Sequence, residues 1–191
     1  MEIRFILPLQ KKQTEEVMEA NQRSIKELRS GLSSSDTSIL IQTLQEVKSS
    51  GSPVLIPELT GLLRRTKSQE IRDHIIDILN NLKYQSSADE LVKELRKEDE
   101  PDVISYLIAA CWKNGLDFSS YIDDFIEAFI RFDYIIALDA LTVIENATRN
   151  LERAATTTRI NRLKQHIDQM EENKRVLLLE LIHVLKNKVT Q

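Results

Sequence analysis

The chain has 191 residues, enough for a domain with a buried core, and its 41% hydrophobic and 29% charged residues argue against disorder. One cysteine excludes a disulfide framework or a cysteine-rich zinc site, and four glycines with four prolines are too few for a turn-rich β-sandwich. A net charge of −4, from 26 basic and 30 acidic residues, gives no overall attraction to nucleic acid or to an anionic membrane.

The apolar stretch Ile3–Leu9 is too short for a signal peptide and follows Glu2 where a basic flank belongs. No run approaches the roughly 20 apolar residues that span a bilayer, so a cytoplasmic protein without membrane contact is expected.

From there on, apolar spacing of three and four predicts about ten helices. Val17, Met18, Ile25, Leu28 and Leu32 form the first stripe, followed by Ile39, Thr43, Leu44 and Val47. Ser52 and Pro53 read as an N-cap with proline at the first helical position, ahead of Leu55, Leu59, Leu62 and Leu63. Thr66 with Gln69 reads as a weak capping box before Ile71, Ile75, Ile76, Leu79 and Leu82. Ser87 with Glu90 reads as a stronger one before Leu91 and Leu95. Glu100-Pro101 opens the helix from Val103 to Trp112, and Asn114-Gly115 closes it. Further stripes run from Ile122 to Ile130, from Tyr134 to Ile144, through Ile160, Leu163, Ile167 and Met170, and from Val176 to Leu185. The short connections predict antiparallel neighbours.

The stripes repeat. Ile39, Ile71 and Val103 are 32 residues apart, and Ile136 follows after 33. The same spacing relates Thr43, Ile75, Leu107 and Ala140, then Leu44, Ile76, Ile108 and Leu141, then Val47, Leu79, Cys111 and Ile144. Leu59 and Leu63 recur as Leu91 and Leu95 in the preceding helices. A fixed period of this length marks stacked helix pairs, each burying its face against its neighbours.

The segment from Val54 to Leu82, with Pro57 in its first helix and Ile71-Arg72 opening its second, resembles a HEAT repeat of the armadillo-like α-solenoids. The other copies, within residues 22–147, match more loosely: Arg72 is replaced by Leu40, Ile104 and Ala137, while Asp36, Asp102 and Asp133 resemble the acidic turn residue. The expected fold is therefore an all-α, right-handed α-solenoid of stacked antiparallel helix pairs. It forms one domain over 1–191, with an N-terminal extension at 1–10, about four repeats over 11–147 and a C-terminal helix pair at 148–191. The resemblance implies a curved scaffold whose second helices line a concave face that binds a protein partner, without catalysis.

The residues offer little else. His74, His166 and His183 lie on different stripes with no carboxylate or second histidine at metal-ligand spacing, so no metal is predicted. Cys111 stands in an apolar column and reads as a buried hydrophobe. The four glycines are isolated, which excludes a phosphate loop or dinucleotide fingerprint, and no cofactor or enzyme activity is expected. Certain DNA alkylpurine glycosylases are built from HEAT-like repeats, but a nucleotide-flipping groove needs basic and aromatic side chains, and this chain is acidic with 5% aromatics.

Charge is uneven. Residues 98–145 hold eleven acidic and two basic side chains, whereas 146–175 hold seven basic and four acidic ones. Helix-start carboxylates on a solvated face account for Asp102, Asp117 and Asp133. Alternatively the band steers a basic partner. Trp112 falls in a column with Lys48, Asn80 and Glu145; a lone tryptophan usually serves the core, and in so polar a column it alternatively anchors an interface. The candidate protein-binding residues are Lys48, Asp73, Asp77, Asn80, Ser105, Trp112, Asp123, Asp124, Glu127 and Glu145. Eight of the ten residues from Val176 to Leu185 are apolar, too many for an uncovered terminal helix. The expected cover is Ile3–Leu9 or the preceding helix, with a homodimer through residues 176–185 or a bound partner as the alternative.

Overall fold

The computed structural model describes residues 24–147 and 151–189. Ten helices account for most of them: α1 (24–32), α2 (Thr37–Ser50), α3 (Ile56–Arg65), α4 (Gln69–Asn80), α5 (Ser86–Lys97), α6 (Pro101–Lys113), α7 (Ile122–Arg131), α8 (Tyr134–Asn146), α9 (Arg153–Gln165) and α10 (Glu172–Asn187). Among the described residues the β-structure is a single bridge between Leu151 and Val189.

The chain divides into two compact units, Met1–Ser50 and Gly51–Gln191. The division falls where α2 ends and Gly51 takes a left-handed φ of 59°, a conformation that breaks the helix. The extension at residues 1–10 lies outside the described residues, as do Val17 and Met18 of the first stripe.

In the first unit, Leu28 and Leu32 of α1 and Leu40, Leu44 and Val47 of α2 are buried. The expected column position Ile39 is 50% exposed, and Leu40 takes its place inside. Asp36 caps α2 by accepting from the Ser38 and Ile39 N–H groups at 2.8 and 3.2 Å. Gly31 sits where the two helices touch. A Cβ there would stand 2.8 Å from Thr43 Cγ2 and closer still to the Thr43 hydroxyl, which itself donates to the Ile39 carbonyl at 2.7 Å. Gly31→Ala is therefore expected to destabilise this unit by about 1 kcal/mol, overpacking outweighing the helix-propensity gain of alanine. Urea unfolding followed by circular dichroism checks this; a stabilised variant would show that Thr43 moves aside at little cost.

The second unit stacks four helix pairs. First helices α3 and α5 are neighbours, as are α7 and α9, and second helices α4, α6, α8 and α10 follow one another in a row. The repeat explains this layering: Ile71, Val103 and Ile136 are all buried, as are Ile75, Leu107 and Ala140, and Leu79, Cys111 and Ile144. Phe118 and Phe125, fully buried in edge-to-face contact with centroids 5.7 Å apart, fill the space beneath the α6–α7 connection.

Helix starts depart from the local signals in three places. Ser52-Pro53 begins a 3-10 turn, Pro53–Leu55, and α3 proper starts at Ile56 with Pro57 in its first turn. At α4 the cap is Ser68, accepting from the Ile71 N–H, while Thr66 accepts from the Ser68 N–H. The Ser87–Glu90 capping box does not form: the Tyr84 and Gln85 carbonyls take the Ser87 and Ala88 N–H groups, so the turn begins earlier and Ser87 is buried inside it. Gln85 instead bridges to the next pair, donating to the Asp117 carbonyl at 2.7 Å and accepting its N–H at 3.0 Å. Glu100-Pro101 opens α6 and Gly115 follows its end at φ 72°, both as expected.

Candidate protein-binding face

The buried and open positions of the second helices of this unit share one pattern. Val103, Ile104, Leu107, Ile108 and Cys111 are buried in α6, and Leu177, Leu178, Leu181, Ile182 and Leu185 are buried in α10 at the same spacing 74 residues on, with Ala110 and Lys174 buried outside this correspondence. Between them α8 follows α6 by 33 residues and precedes α10 by 41. The open positions therefore fall into rows across α4, α6, α8 and α10. Glu70, Asp102, Ile135 and Val176 make one row, and Asp73, Ser105, Leu138 and Leu179 the next. Asp77, Ala109, Thr142 and His183 follow, then Asn80, Trp112, Glu145 and Lys186.

This second-helix face changes character along the stack. Its α4 end is acidic, with Glu70, Asp73 and Asp77. Asp73 accepts from Gln69 Nε2 at 2.7 Å and Asp77 from Asn81 Nδ2 at 3.0 Å. Its α8–α10 end is apolar: Ile135, Leu138, Val176 and Leu179 are 58%, 38%, 66% and 64% exposed. A large exposed hydrophobic is ordinary singly; four in adjacent rows of neighbouring helices form a patch.

Trp112 stands between these ends, half-buried. Its indole N–H donates to Asp139 Oδ1 at 3.0 Å and Lys113 Nζ lies 5.2 Å from the ring centroid. Burial pushes the Asp139 carboxyl up, against the pull of the indole N–H and Lys113. The hydrogen bond holds the ring across the seam from α6 to α8, its remaining surface facing out.

The structure separates the predicted site residues. Asp73, Asp77, Asn80, Ser105, Trp112 and Glu145 share the second-helix face. Lys48 is exposed on α2, in the first unit. Asp123, Asp124 and Glu127 lie on α7, in the row of first helices. There Asp123 holds Arg159 through two bonds of 2.8 and 2.7 Å, Asp124 holds Arg96 at 2.6 and 2.9 Å, and Glu127 pairs with Arg162. The Arg159 guanidinium beside Asp123 holds its carboxyl below the usual aspartate range. The acidic band of residues 98–145 is thus divided. Its α7 carboxylates join first helices of successive pairs, and Asp133 caps α8 by accepting from the Ile136 N–H. Glu98 is buried between α5 and α6.

The last helix resolves in the same terms. Leu177, Leu178, Leu181, Ile182 and Leu185 are buried, with α8 and α9 as neighbouring helices, and Val176 and Leu179 belong to the second-helix face. Ile3–Leu9, the other expected cover, lies outside the described residues. Cys111 is buried and its thiol is pushed up by that burial. Among the described residues no three His, Cys, Asp or Glu side chains gather at metal-binding distance, and no helix is long and apolar enough to cross a membrane.

Ile135 and Leu138 escaped the sequence reading because each is one apolar residue in a helix of apolar residues. Aligning α10 to α8 at a spacing of 41, rather than 32 or 33, would have exposed the rows.

The chain therefore has an all-α, HEAT-like helical repeat fold. The archaeal HEAT-like repeats protein from Thermococcus onnurineus NA1 is similar to it in crystal structure, with a TM-score of 0.55 and 14% sequence identity over 91% of this chain and 75% of the other. No protein-family model and no curated protein matches the sequence.

Proposed function

We propose that this protein is a non-catalytic binding module that takes a protein partner on the second-helix face of residues 51–191. The observation that carries this reading is the composite surface: an exposed apolar patch of Ile135, Leu138, Val176 and Leu179, with acidic rows on α4 beyond Trp112. Apolar contacts at its centre give affinity, and a polar margin gives orientation and charge selectivity. The partner that fits is a helix or loop with an apolar stripe flanked by lysine or arginine.

The test is affinity capture from lysate with the native chain and with a Leu138→Lys/Leu179→Lys variant, at low and high salt, read by mass spectrometry. Both positions are exposed, so the variant is expected to unfold at the native urea midpoint. A defined protein is expected to be retained by the native chain, weakened by salt and lost from the variant. Identical capture by both chains would overturn the reading. Trp112 is the single tryptophan, so its emission is expected to shift when that partner binds.

A further inference from the structure

A second surface adjoins that face, sharing Lys186 of α10 with it. Between α9 and α10, on the side away from α7, lies a groove of about 550 Å3. Among the described residues Arg153, Lys164 and Lys186 line it and no carboxylate does, and Ile160 and Val189 lie in its apolar part. Arg153 and Lys164 are eleven residues apart on α9, so their charges are spread over roughly 16 Å of helix. A single compact anion does not match that length, and among the described residues no aromatic side chain lines the groove to stack a base.

The seams inside the unit show what chemistry such an edge accepts. Arg64 of α3 reaches Glu98 beyond α5, Arg96 of α5 reaches Asp124 of α7, and Arg159 and Arg162 of α9 reach Asp123 and Glu127 of α7. Each junction between successive pairs is thus crossed by arginine–carboxylate pairs over an apolar core. On α9, Arg159 and Arg162 are spent on the α7 side. At 100° per residue, Arg153 and Lys164 stand about 120–140° round the helix from Arg159, at the edge where a further helix would stack.

We propose that this terminal groove docks an acidic amphipathic helix of a protein partner, which continues the stack. Its carboxylates would be spaced over three turns to meet Arg153, Lys164 and Lys186, and its apolar stripe would lie along Val189 and the 8% of Ile160 that is exposed. This extends the binding function to a second surface with the opposite charge preference from the second-helix face.

The experiment uses the full chain and two fluorescein-labelled 16-residue peptides of one leucine-striped helical design, one flanked by glutamates and one by lysines. Anisotropy at low salt is expected to show the glutamate peptide binding the native chain. An Arg153→Glu/Lys164→Glu/Lys186→Glu variant, its fold checked by circular dichroism, is expected to bind it at least about tenfold more weakly and to gain the lysine peptide. The Leu138→Lys/Leu179→Lys variant is expected to bind the glutamate peptide as the native chain does, which separates this groove from the second-helix face. Equal binding of the glutamate peptide to the native and charge-reversed chains would overturn the proposal. So would a labelled 12-nucleotide single strand that binds the native chain while the glutamate peptide does not.

Discussion

Replacing Lys174 with methionine is expected to destabilise the second unit by about 3 kcal/mol, because two carbonyls at a buried helix end would lose a charged donor. Lys174 begins α10, yet its ammonium donates to the Ile130 and Phe132 carbonyls at 3.0 and 2.6 Å, closing the C-terminus of α7. The residue is 7% exposed and its Nζ lies 5.7 Å from the Phe129 ring centroid. Burial pulls the lysine below its ordinary value, while Asp133 and Glu171 favour the charged form. A cation at the C-terminal pole of α7 also complements the helix dipole. Methionine keeps the stem and its packing while removing the donors, so the variant isolates the hydrogen bonds. Urea unfolding monitored by circular dichroism and Trp112 emission measures the loss. A change below about 1 kcal/mol would mean that water replaces the ammonium at those carbonyls. Because α10 carries Val176 and Leu179, partial release of its first turn is also expected to weaken capture of a partner on the second-helix face.

Glu98→Ala is expected to cost a similar amount, about 2–3 kcal/mol, for a related reason. Glu98 is 4% exposed at the junction of α5 and α6. One carboxylate oxygen accepts the Asp99 and Glu100 N–H groups, each at 3.0 Å, and the other holds Arg64, whose Nε lies at 3.1 Å. Burial alone would raise this carboxyl, but Arg64 and the two N–H groups outweigh it and hold it below the usual glutamate value. Alanine leaves the two N–H groups at the start of α6 without their acceptor. Arg64 loses less, since its side chain is 49% exposed and water can take the place of its partner.

The pH dependence follows from the direction of that shift. A carboxyl depressed in the folded state stabilises fully above its unfolded value of about 4.3, and loses that stabilisation as pH falls through the folded value. Glu98→Gln has no such titration. The stability gap between native and glutamine chains is therefore expected to stay constant near neutrality and to close in acid below about pH 4. A gap that persists in acid would show that the glutamine disturbs packing instead.

Much of the architecture was legible because burial follows period. The 32-residue columns through Ile75, Leu107 and Ala140 name residues that are all buried, and Gly51, Pro53, Pro101 and Gly115 mark the connections from α2 to α3, α5 to α6 and α6 to α7. Caps were less legible. Ser87 and Glu90 have the right identities and spacing for a capping box, yet the Tyr84 carbonyl captured the Ser87 N–H first. A local motif states what a residue can bond, and the competing backbone acceptor is set by how the preceding turn enters the helix.

The candidate site was legible only in part. Trp112, Asp73 and Asp77 stand on the open face of the second helices because the repeat register puts them there. Asp123, Asp124 and Glu127 are as acidic in sequence as any of these. Their arginine partners, 28 to 36 residues away, assign them to the seams between first helices. Charge composition over a window counts both kinds alike, since pairing across helices has no signature in local sequence.

What this sequence determined by itself is the class of fold, the helices, their pairing and the residues that fill the core, because periodicity and burial are properties of one helix and its nearest neighbour. Which carboxylates are spent in seams, which apolar residues of α8 and α10 are exposed, and that Arg153, Lys164 and Lys186 gather along one groove were decided by the tertiary structure. Those properties depend on which helices stand side by side, and exposure is what remains after every neighbour has been placed.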